Sequence, residues 1–283
     1  MSNALRVACG HFGRVALLDM DRSLVRHAHP HCHVLLKVQG ADTRFSVGDE
    51  VVPLSDDTAV LVNAWQPHAY VHDPARPRTI ILALYVEPIW LRSFRRNWGA
   101  SGGPGFFERP TGIVSPRVRS LTDRLAMTMV HEPEARLQQE ELLSDLMIAV
   151  IERFTAWRTV SLSYSDMARG AVDWRIRKAV DLIRSDPAAS VDVNGLAREV
   201  GLSRAHFFRL FDKCYGMTPR VYLNVVRMEL AVGYAVAGND TFASISDRLG
   251  FSVPAHFTRF FRDHAGSSPS EFRNVARLGA SEL

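Results

Sequence analysis

The sequence has few cysteines, little net charge and no long apolar run. Its three cysteines, Cys9, Cys32 and Cys214, include no Cys-x-x-Cys pair, which argues against a disulfide framework or a zinc finger. No apolar segment approaches the roughly 20 residues of a membrane span, and the N-terminus lacks a signal-peptide pattern, so we expect a soluble cytoplasmic protein without a membrane partner. A net charge of +4 permits a polyanionic partner but does not demand one.

The last hundred residues contain two related segments. Ala-Arg-Glu-Val-Gly-Leu-Ser at 197–203 corresponds to Ser-Asp-Arg-Leu-Gly-Phe-Ser at 246–252, and each is followed by His-Phe, Arg, Phe, Gly and then Thr-Pro or Ser-Pro. Each copy predicts a helix, a turn with glycine and a second helix, which is the helix-turn-helix pattern. A helical solenoid is the alternative, but two units are too few for one. The pair indicates a protein that reads two stretches of DNA groove.

Capping residues define where the second helix of each unit begins and ends. Ser203 and Ser252 stand at the expected N-caps, and Gly216 and Gly266 at the expected C-terminal stops. The second copy is one residue longer at Val253-Pro254, where proline is tolerated in a first helical turn.

The second helix of each unit carries the predicted groove face. In the first unit it spans about 204–213, with Phe207 and Phe211 on the core side. Arg209 can form two hydrogen bonds to a guanine edge, although a bond to Glu199 or a contact to phosphate alone is the alternative. The predicted DNA-binding residues are Arg204, Ala205, Phe208 and Arg209 in the first unit and Ala255, His256, Thr258 and Arg259 in the second.

Residues 174–276 resemble the DNA-binding domain of the AraC/XylS family of bacterial transcription regulators. The match is strongest in the second unit, through Leu-Gly-Phe-Ser at 249–252, Phe257, Arg259, Phe261 and the segment 266–273. The resemblance implies two helix-turn-helix subdomains joined by a long helix, here about 219–236 and ended by Gly-Asn-Asp at 238–240. It also implies an activator that binds a small-molecule effector, contacts double-stranded DNA and RNA polymerase, and forms a homodimer.

The first half of the chain has a residue pattern typical of a β-domain. Short runs rich in β-branched and apolar residues at 44–47, 59–62 and 79–85 predict strands, and the segments 40–42, 48–49 and 55–57 predict turns between them. Closely spaced strands without helices favour an antiparallel barrel or jelly roll. Residues 27–86 resemble a cupin-type effector domain.

Histidines alternate along one segment of this half: His27, His29, His31 and His33 would share one face if the segment were a strand. Cupins that hold a metal use a His-x-His pair, a nearby Glu and a later His; His68 could be the later ligand, but the Glu is missing. The row could bind a metal, orient an effector or be structural. We assign no cofactor and keep a metal at His29, His31, His33 and His68 as an open alternative. The predicted effector pocket lies inside the barrel, takes an anionic or hydroxylated molecule, and is lined by His29, His31, His33, Trp65, His68 and Tyr70.

An amphipathic helix is predicted between the halves, at about 135–154. Its apolar stripe either packs on the core of its own domain or, as the family resemblance favours, forms a dimer seam; the stripe consists of Leu142, Leu143, Leu146, Met147, Val150, Ile151 and Phe154. The Ser-rich run at 160–166 has linker character.

The predicted fold is therefore a multidomain α+β protein. Residues 1–160 form a cupin-like or jelly-roll-like β-barrel with a helical hairpin, 161–172 a linker, and 173–283 an all-α domain of two helix-turn-helix subdomains. The predicted function is a sequence-specific DNA-binding regulator without enzymatic activity. A cupin-type metalloenzyme and a constitutive DNA-binding protein without an effector are the alternatives.

Overall fold

The computed structural model describes residues 3–103, 105–155 and 173–278. A β-rich N-terminal domain is followed by an all-helical C-terminal domain, which we call the reader domain. The strands are β1 (Asn3–Gly10), β2 (Gly13–Met20), β3 (Cys32–Gly40), β4 (Thr43–Val47), β5 (Glu50–Leu54), β6 (Thr58–Val62), β7 (His68–Val71), β8 (Thr79–Val86) and β9 (Thr111–Ile113). The helices are α1 (Pro88–Phe94), α2 (Pro116–His131), α3 (Arg136–Phe154), α4 (Trp174–Ser185), α5 (Val193–Glu199), α6 (Arg204–Tyr215), α7 (Pro219–Ala237), α8 (Phe242–Arg248), α9 (Pro254–Ala265) and α10 (Pro269–Leu278), with short 3-10 turns at Arg96–Gly102 and Ala189–Val191.

The strands form two antiparallel sheets, as the sequence predicted. The larger has the order β1-β2-β8-β3-β6-β9 and the smaller β5-β4-β7. Alternation along the strands separates two cores: Val34 and Leu82 pack with the helices, whereas Leu35 and Ile81 pack with Phe45 of the smaller sheet. The larger sheet therefore has one face against the smaller sheet and the other against helices.

Helices α2 and α3 form a hairpin against the outer face of the larger sheet. The α3 stripe is buried there, with Leu146, Val150 and Ile151 fully covered within the single chain and Phe154 half-buried. The prediction that this stripe forms a dimer seam is therefore wrong, because the sheet already occupies it. Exposed apolar side chains lie elsewhere on the hairpin, at Met127, Val130 and Leu137.

The reader domain contains two helix-turn-helix units, α5–α6 and α8–α9, connected by α7. The connector ends at Gly238, as expected. Helix α4 begins at Trp174 with the Asp173 carboxylate accepting from the Arg175 backbone N–H. The predicted linker at 161–172 lies outside the described residues. In the part of the chain that the structure describes, no helix combines the length and apolarity that a bilayer crossing requires.

Candidate DNA-reading surface and effector site

Helix α6 is capped and oriented as the sequence predicted. The Ser203 hydroxyl accepts from the His206 backbone N–H, and Gly216 ends the helix with a φ of 66°. Phe207 and Phe211 are fully buried. The opposite side leaves Arg204, Ala205 and Arg209 exposed and Phe208 half-buried, and the Arg204 guanidinium lies 5.6 Å from the Phe208 ring centroid.

Arg209 is positioned to reach outward from this face. Among the described residues we find no hydrogen bond or ion pair from its guanidinium, and in particular none to Glu199. An exposed guanidinium that the fold does not engage can make two parallel hydrogen bonds to a guanine edge.

Helix α9 presents the equivalent face with a different N-terminus. Val253, rather than the predicted Ser252, occupies the N-cap position and provides no side-chain cap, while Pro254 fills the first turn. The serine prediction is wrong because the extra residue of the second copy moves the cap by one position. Ala255, His256 and Arg259 are exposed. Thr258 is half-buried, and its hydroxyl donates to the Pro254 carbonyl at 3.1 Å, within the helix.

The two units are joined by more than the connector helix. Buried Arg227 of α7 donates to the Gly250 carbonyl at 2.8 Å, and its guanidinium lies 4.3 Å from the Phe251 ring centroid. Burial lowers the pKa of Arg227 to about 10. Gly250 has a φ of 72°, and a Cβ there would lie 2.8 Å from the Cα of Ala188 in the first half of the reader domain. Close backbone packing at this glycine therefore sets how the units lie relative to each other.

The histidine row forms a cluster, but it is not one strand. Only His33 lies in β3; His27 makes an isolated bridge to His68, and His29 and His31 lie in irregular chain. The expectation of four side chains on one strand face is therefore wrong. The rings nevertheless converge: the His29 centroid lies 4.8 Å from that of His33 and 4.8 Å from that of His68, and His27 lies 4.4 Å from His68.

Backbone carbonyls fix which nitrogen of each ring carries hydrogen. The Nδ1 atoms of His27, His29, His33 and His68 lie 2.8–3.1 Å from the carbonyls of Val25, His31, Leu84 and Gln66, respectively. A carbonyl oxygen only accepts, so each Nδ1 donates and each Nε2 of the neutral ring carries a lone pair. The Nε2 atoms of His29 and His68 are buried and have no hydrogen-bond partner among the described residues.

Burial also keeps these imidazoles neutral. It lowers the pKa of His33 and of His68 to about 3, and it lowers the pKa of His27 and of His29 well below the ordinary value, with repulsion from neighbouring imidazoles adding to the effect. Neutral rings with an Nε2 lone pair accept hydrogen bonds or bind metal. They suit a hydroxyl donor better than the anion that the sequence also allowed.

The other predicted pocket residues have their main contacts outside this ring cluster, although the His31 centroid lies 6.0 Å from that of His29. The His31 Nε2 is 2.8 Å from the Glu87 carboxylate, and this hydrogen bond holds the pKa of Glu87 below its usual range. Tyr70 packs against Phe45, with ring centroids 5.1 Å apart, and its hydroxyl lies 3.4 Å from the His72 Nδ1. Of the six predicted effector residues, the structure thus brings together the rings of His29, His33 and His68.

Trp65, the sixth, contacts the reader domain instead. Its ring stacks on Tyr222 of α7, with centroids 5.0 Å apart and planes 10° from parallel. Its φ of 65° is in the left-handed region, which costs a non-glycine residue about 1–3 kcal/mol. The Trp65 backbone N–H donates to the His29 carbonyl at 2.7 Å and helps to hold this conformation.

Further contacts connect the β-domain and the reader domain. The Arg14 guanidinium lies 3.9 Å from the Tyr85 centroid and 5.9 Å from that of Phe272 in α10. The Val25 backbone N–H donates to the Asp263 carbonyl at 3.3 Å, and a Glu229 carboxylate oxygen of α7 lies 3.9 Å from the His31 Nδ1. The β-domain therefore contacts the reader domain at α7, α9 and α10.

A cavity of about 290 Å³ lies where β1, the α2–α3 hairpin, α7 and α10 meet. Apolar groups form most of its wall, with polar or charged side chains from Arg6, Arg136, Gln139 and Glu140. The reader domain contributes Val236, Val275 and Ala276. Sequence reasoning missed this site, because its walls come from segments far apart in the chain and carry no motif.

Comparisons with known proteins agree with this architecture. A model described as "AraC-like ligand binding domain" matches residues 14–147, and one described as "Helix-turn-helix domain" matches 196–274. The apo form of ToxT from Vibrio cholerae has a similar fold, with a TM-score of 0.59 at 12% identity, covering 96% of this chain and 100% of that one.

Curated relatives share part of their length with this chain. The Msm operon regulatory protein of Streptococcus mutans is 28% identical over 46% of this chain and 45% of its own length. The lactose operon transcription activator of Staphylococcus xylosus is 31% identical over 35% and 36%, and the transcriptional activator NphR of a Rhodococcus species is 30% identical over 43% and 36%. The chain thus spans less than half the length of these relatives. Its two matched domains, in this order and on this fold, show that the chain belongs to the AraC family of regulators.

Proposed function

We propose that this protein is a sequence-specific DNA-binding transcription regulator that activates transcription in response to a small molecule. The observation that carries the proposal is the pair of exposed faces on α6 and α9, each with an outward arginine, held together through α7 and Gly250. Two relatives named as transcription activators favour activation over repression.

Base reading by Arg209 and Arg259 is the part that mutation tests most sharply. A target sequence is first selected from random DNA with the purified chain. Arg209→Ala should then weaken binding by about 1–3 kcal/mol and relax preference at one base pair of the site. Arg44→Ala is the matched control, because Arg44 is also exposed but lies on β4 of the other domain. A uniform loss of affinity for all sequences would assign Arg209 to phosphate contact alone.

For the effector we favour the cavity at the domain boundary. Both domains line it, so a ligand there contacts the reader domain as well as the β-domain, and its volume is near the lower end for small-molecule sites. The lining suits a mainly apolar molecule with one or two polar groups. The six-residue pocket around His29, Trp65 and Tyr70 stays a prediction.

A substitution that fills the cavity distinguishes the two candidate effector sites, the cavity and the histidine cluster. Ala8→Leu adds volume to the cavity wall, whereas His33→Gln changes the histidine cluster. In a small-molecule thermal-shift screen, a hit whose stabilisation is lost in Ala8→Leu and kept in His33→Gln binds in the cavity. The opposite pattern places the effector at the histidines. A chain that regulates without any ligand would give no hit and effector-independent transcription.

We further propose a homodimer that contacts RNA polymerase and acts in the cytoplasm, where its DNA lies. The exposed Met127, Val130 and Leu137 of the hairpin provide the apolar surface for a second copy. Leu137→Glu should then raise the dimer dissociation constant in sedimentation experiments. We favour a regulator over a cupin-type enzyme, because the histidine cluster is largely buried and the reader domain lies against it.

A further inference from the structure

Three imidazoles converge at the edge of the β-domain that faces the reader domain. His27, His29 and His68 each offer one ring nitrogen, and these nitrogens lie within 4.8 Å of one another. We propose that His27, His29 and His68 form a binding site for one divalent transition-metal ion, held through their Nε2 atoms. This site goes beyond effector-dependent DNA binding and does not depend on it.

The hydrogen-bond pattern is the main support. Each of the three Nδ1 atoms donates to a backbone carbonyl, which orients the ring and leaves the Nε2 lone pair available. Metal-binding histidines are held in the same way, with the second ring nitrogen donating to a carbonyl or carboxylate. For His29 and His68, the Nε2 is buried without a partner among the described residues, an arrangement that costs free energy unless a ligand completes it.

The chemistry of the donors selects the class of ion. Three neutral imidazoles without a carboxylate suit borderline ions such as Zn²⁺, Co²⁺, Ni²⁺ or Cu²⁺, whereas Mg²⁺ and Ca²⁺ prefer oxygen.

Metal binding requires the three nitrogens to move closer together. In a tetrahedral zinc site with Zn–N distances near 2.0–2.1 Å, ligand nitrogens lie about 3.3 Å apart. His27 is half-buried and can move towards the other two rings, whereas the buried His29 and His68 would have to shift with the surrounding chain. His33 is the next imidazole, with a ring centroid 4.8 Å from that of His29 and 5.4 Å from that of His68. Its Nδ1 also donates to a carbonyl, so its Nε2 is the candidate for a fourth ligand.

The position of the site couples it to the second helix-turn-helix unit. The ring centroids of His27 and of His264 in α9 lie 6.0 Å apart. The backbone N–H of Val25, two residues before His27, donates to the Asp263 carbonyl. Drawing His27 towards a metal therefore pulls on the segment that contacts α9.

Cobalt titration of the full chain tests the site. Protein stripped with a chelator should bind one equivalent of Co²⁺ with visible absorption bands of a nitrogen-coordinated ion, and Zn²⁺ should displace it. His29→Gln and His68→Gln should each weaken Co²⁺ binding by at least about a hundredfold, since losing a second-shell partner alone costs 10- to 100-fold. His131→Gln is the matched control, because His131 is exposed at the end of α2.

Two results would overturn the proposal. One is wild-type protein that binds less than one equivalent of Co²⁺ at micromolar concentration. The other is folded His29→Gln or His68→Gln protein that binds Co²⁺ as tightly as His131→Gln does. If both buried variants fail to fold by circular dichroism, the half-buried His27→Gln decides in their place. DNA binding by the variants is measured separately, so that failure of the metal site and failure of the regulator function remain distinguishable.

Discussion

Gly250 and Gly201 occupy equivalent turns in the two helix-turn-helix units. Alanine substitution at both positions therefore separates the free-energy cost of the backbone conformation from the cost of packing between the units. Both have positive φ, 72° and 70°. Around Gly201 a Cβ would meet nothing within 4 Å. At Gly250 it would meet the Cα of Ala188 at 2.8 Å and the buried Arg227 guanidinium at 3.0 Å. Alanine is thus disfavoured at both turns, but only at Gly250 must neighbouring residues move.

The magnitudes follow from these two environments. The left-handed conformation costs alanine about 1–2 kcal/mol, partly offset by about 0.4–1 kcal/mol from the stiffer unfolded chain. Both contributions apply equally to Gly201→Ala and Gly250→Ala. Gly250→Ala adds overpacking of about 1–3 kcal/mol against backbone and a buried cation. The difference in unfolding free energy between the two variants should therefore be about 1–3 kcal/mol.

Urea denaturation of the full chain, followed by the helical circular-dichroism signal, measures this difference. Gly250→Ala should also lose affinity for a two-groove DNA site while largely keeping affinity for a single half-site. Gly201→Ala should leave the ratio of the two affinities unchanged. Equal destabilisation by the two substitutions would refute the argument that packing at Gly250 holds the units together.

Three further predictions concern the reader domain and the histidine cluster. Val226→Pro, in the middle of α7, removes an interior hydrogen bond and should cost about 3 kcal/mol or more in urea denaturation, whereas an equally placed alanine should cost far less. The subsites for α6 and α9 should lie about one helical turn apart, roughly 10–10.5 bp, so that inserting half a turn abolishes tight binding in a gel-shift assay; a footprint with one protected groove per monomer would contradict this. The pKa of His33 lies at about 3 in the folded chain, so below its ordinary value of about 6.5 only the unfolded chain takes up the proton. This histidine should therefore lower stability by about 1.4 kcal/mol per pH unit as pH falls from about 6.5 towards 3. In chelator-containing buffer, His33→Gln should reduce the slope of stability against pH by that amount, because the other buried histidines still contribute, and His131→Gln should leave it unchanged; identical slopes would show that His33 does not titrate this way.

The reader domain was largely predictable because its determinants are local. Caps, glycine stops and the four-residue spacing of Phe207 and Phe211 act within one or two helical turns, and the structure confirms them. The one error in capping, at Ser252, comes from the inserted residue, whose position the sequence does not resolve to a single residue.

The histidine site was only partly predictable, because tertiary contacts decide it. Alternation suggested a strand, but the pairing of His27 with His68 and the turn before β3 break the regular period. The predicted clustering of the histidine rings is observed. Trp65 and Tyr70, however, pack against Tyr222 and Phe45, which are distant in sequence. The prediction of a dimer seam on α3 was wrong for a related reason: the spacing of apolar residues shows that one face is buried but not which surface covers it.

The stack of Trp65 on Tyr222 places a tryptophan, whose fluorescence depends on its exposure to water, at the boundary between the domains. The phenol of Tyr222 covers one face of the Trp65 indole, and that face would become hydrated if α7 moved away. Trp65 is one of five tryptophans in the chain, so the emission of a variant that keeps only Trp65 would follow opening of the contact between the β-domain and α7.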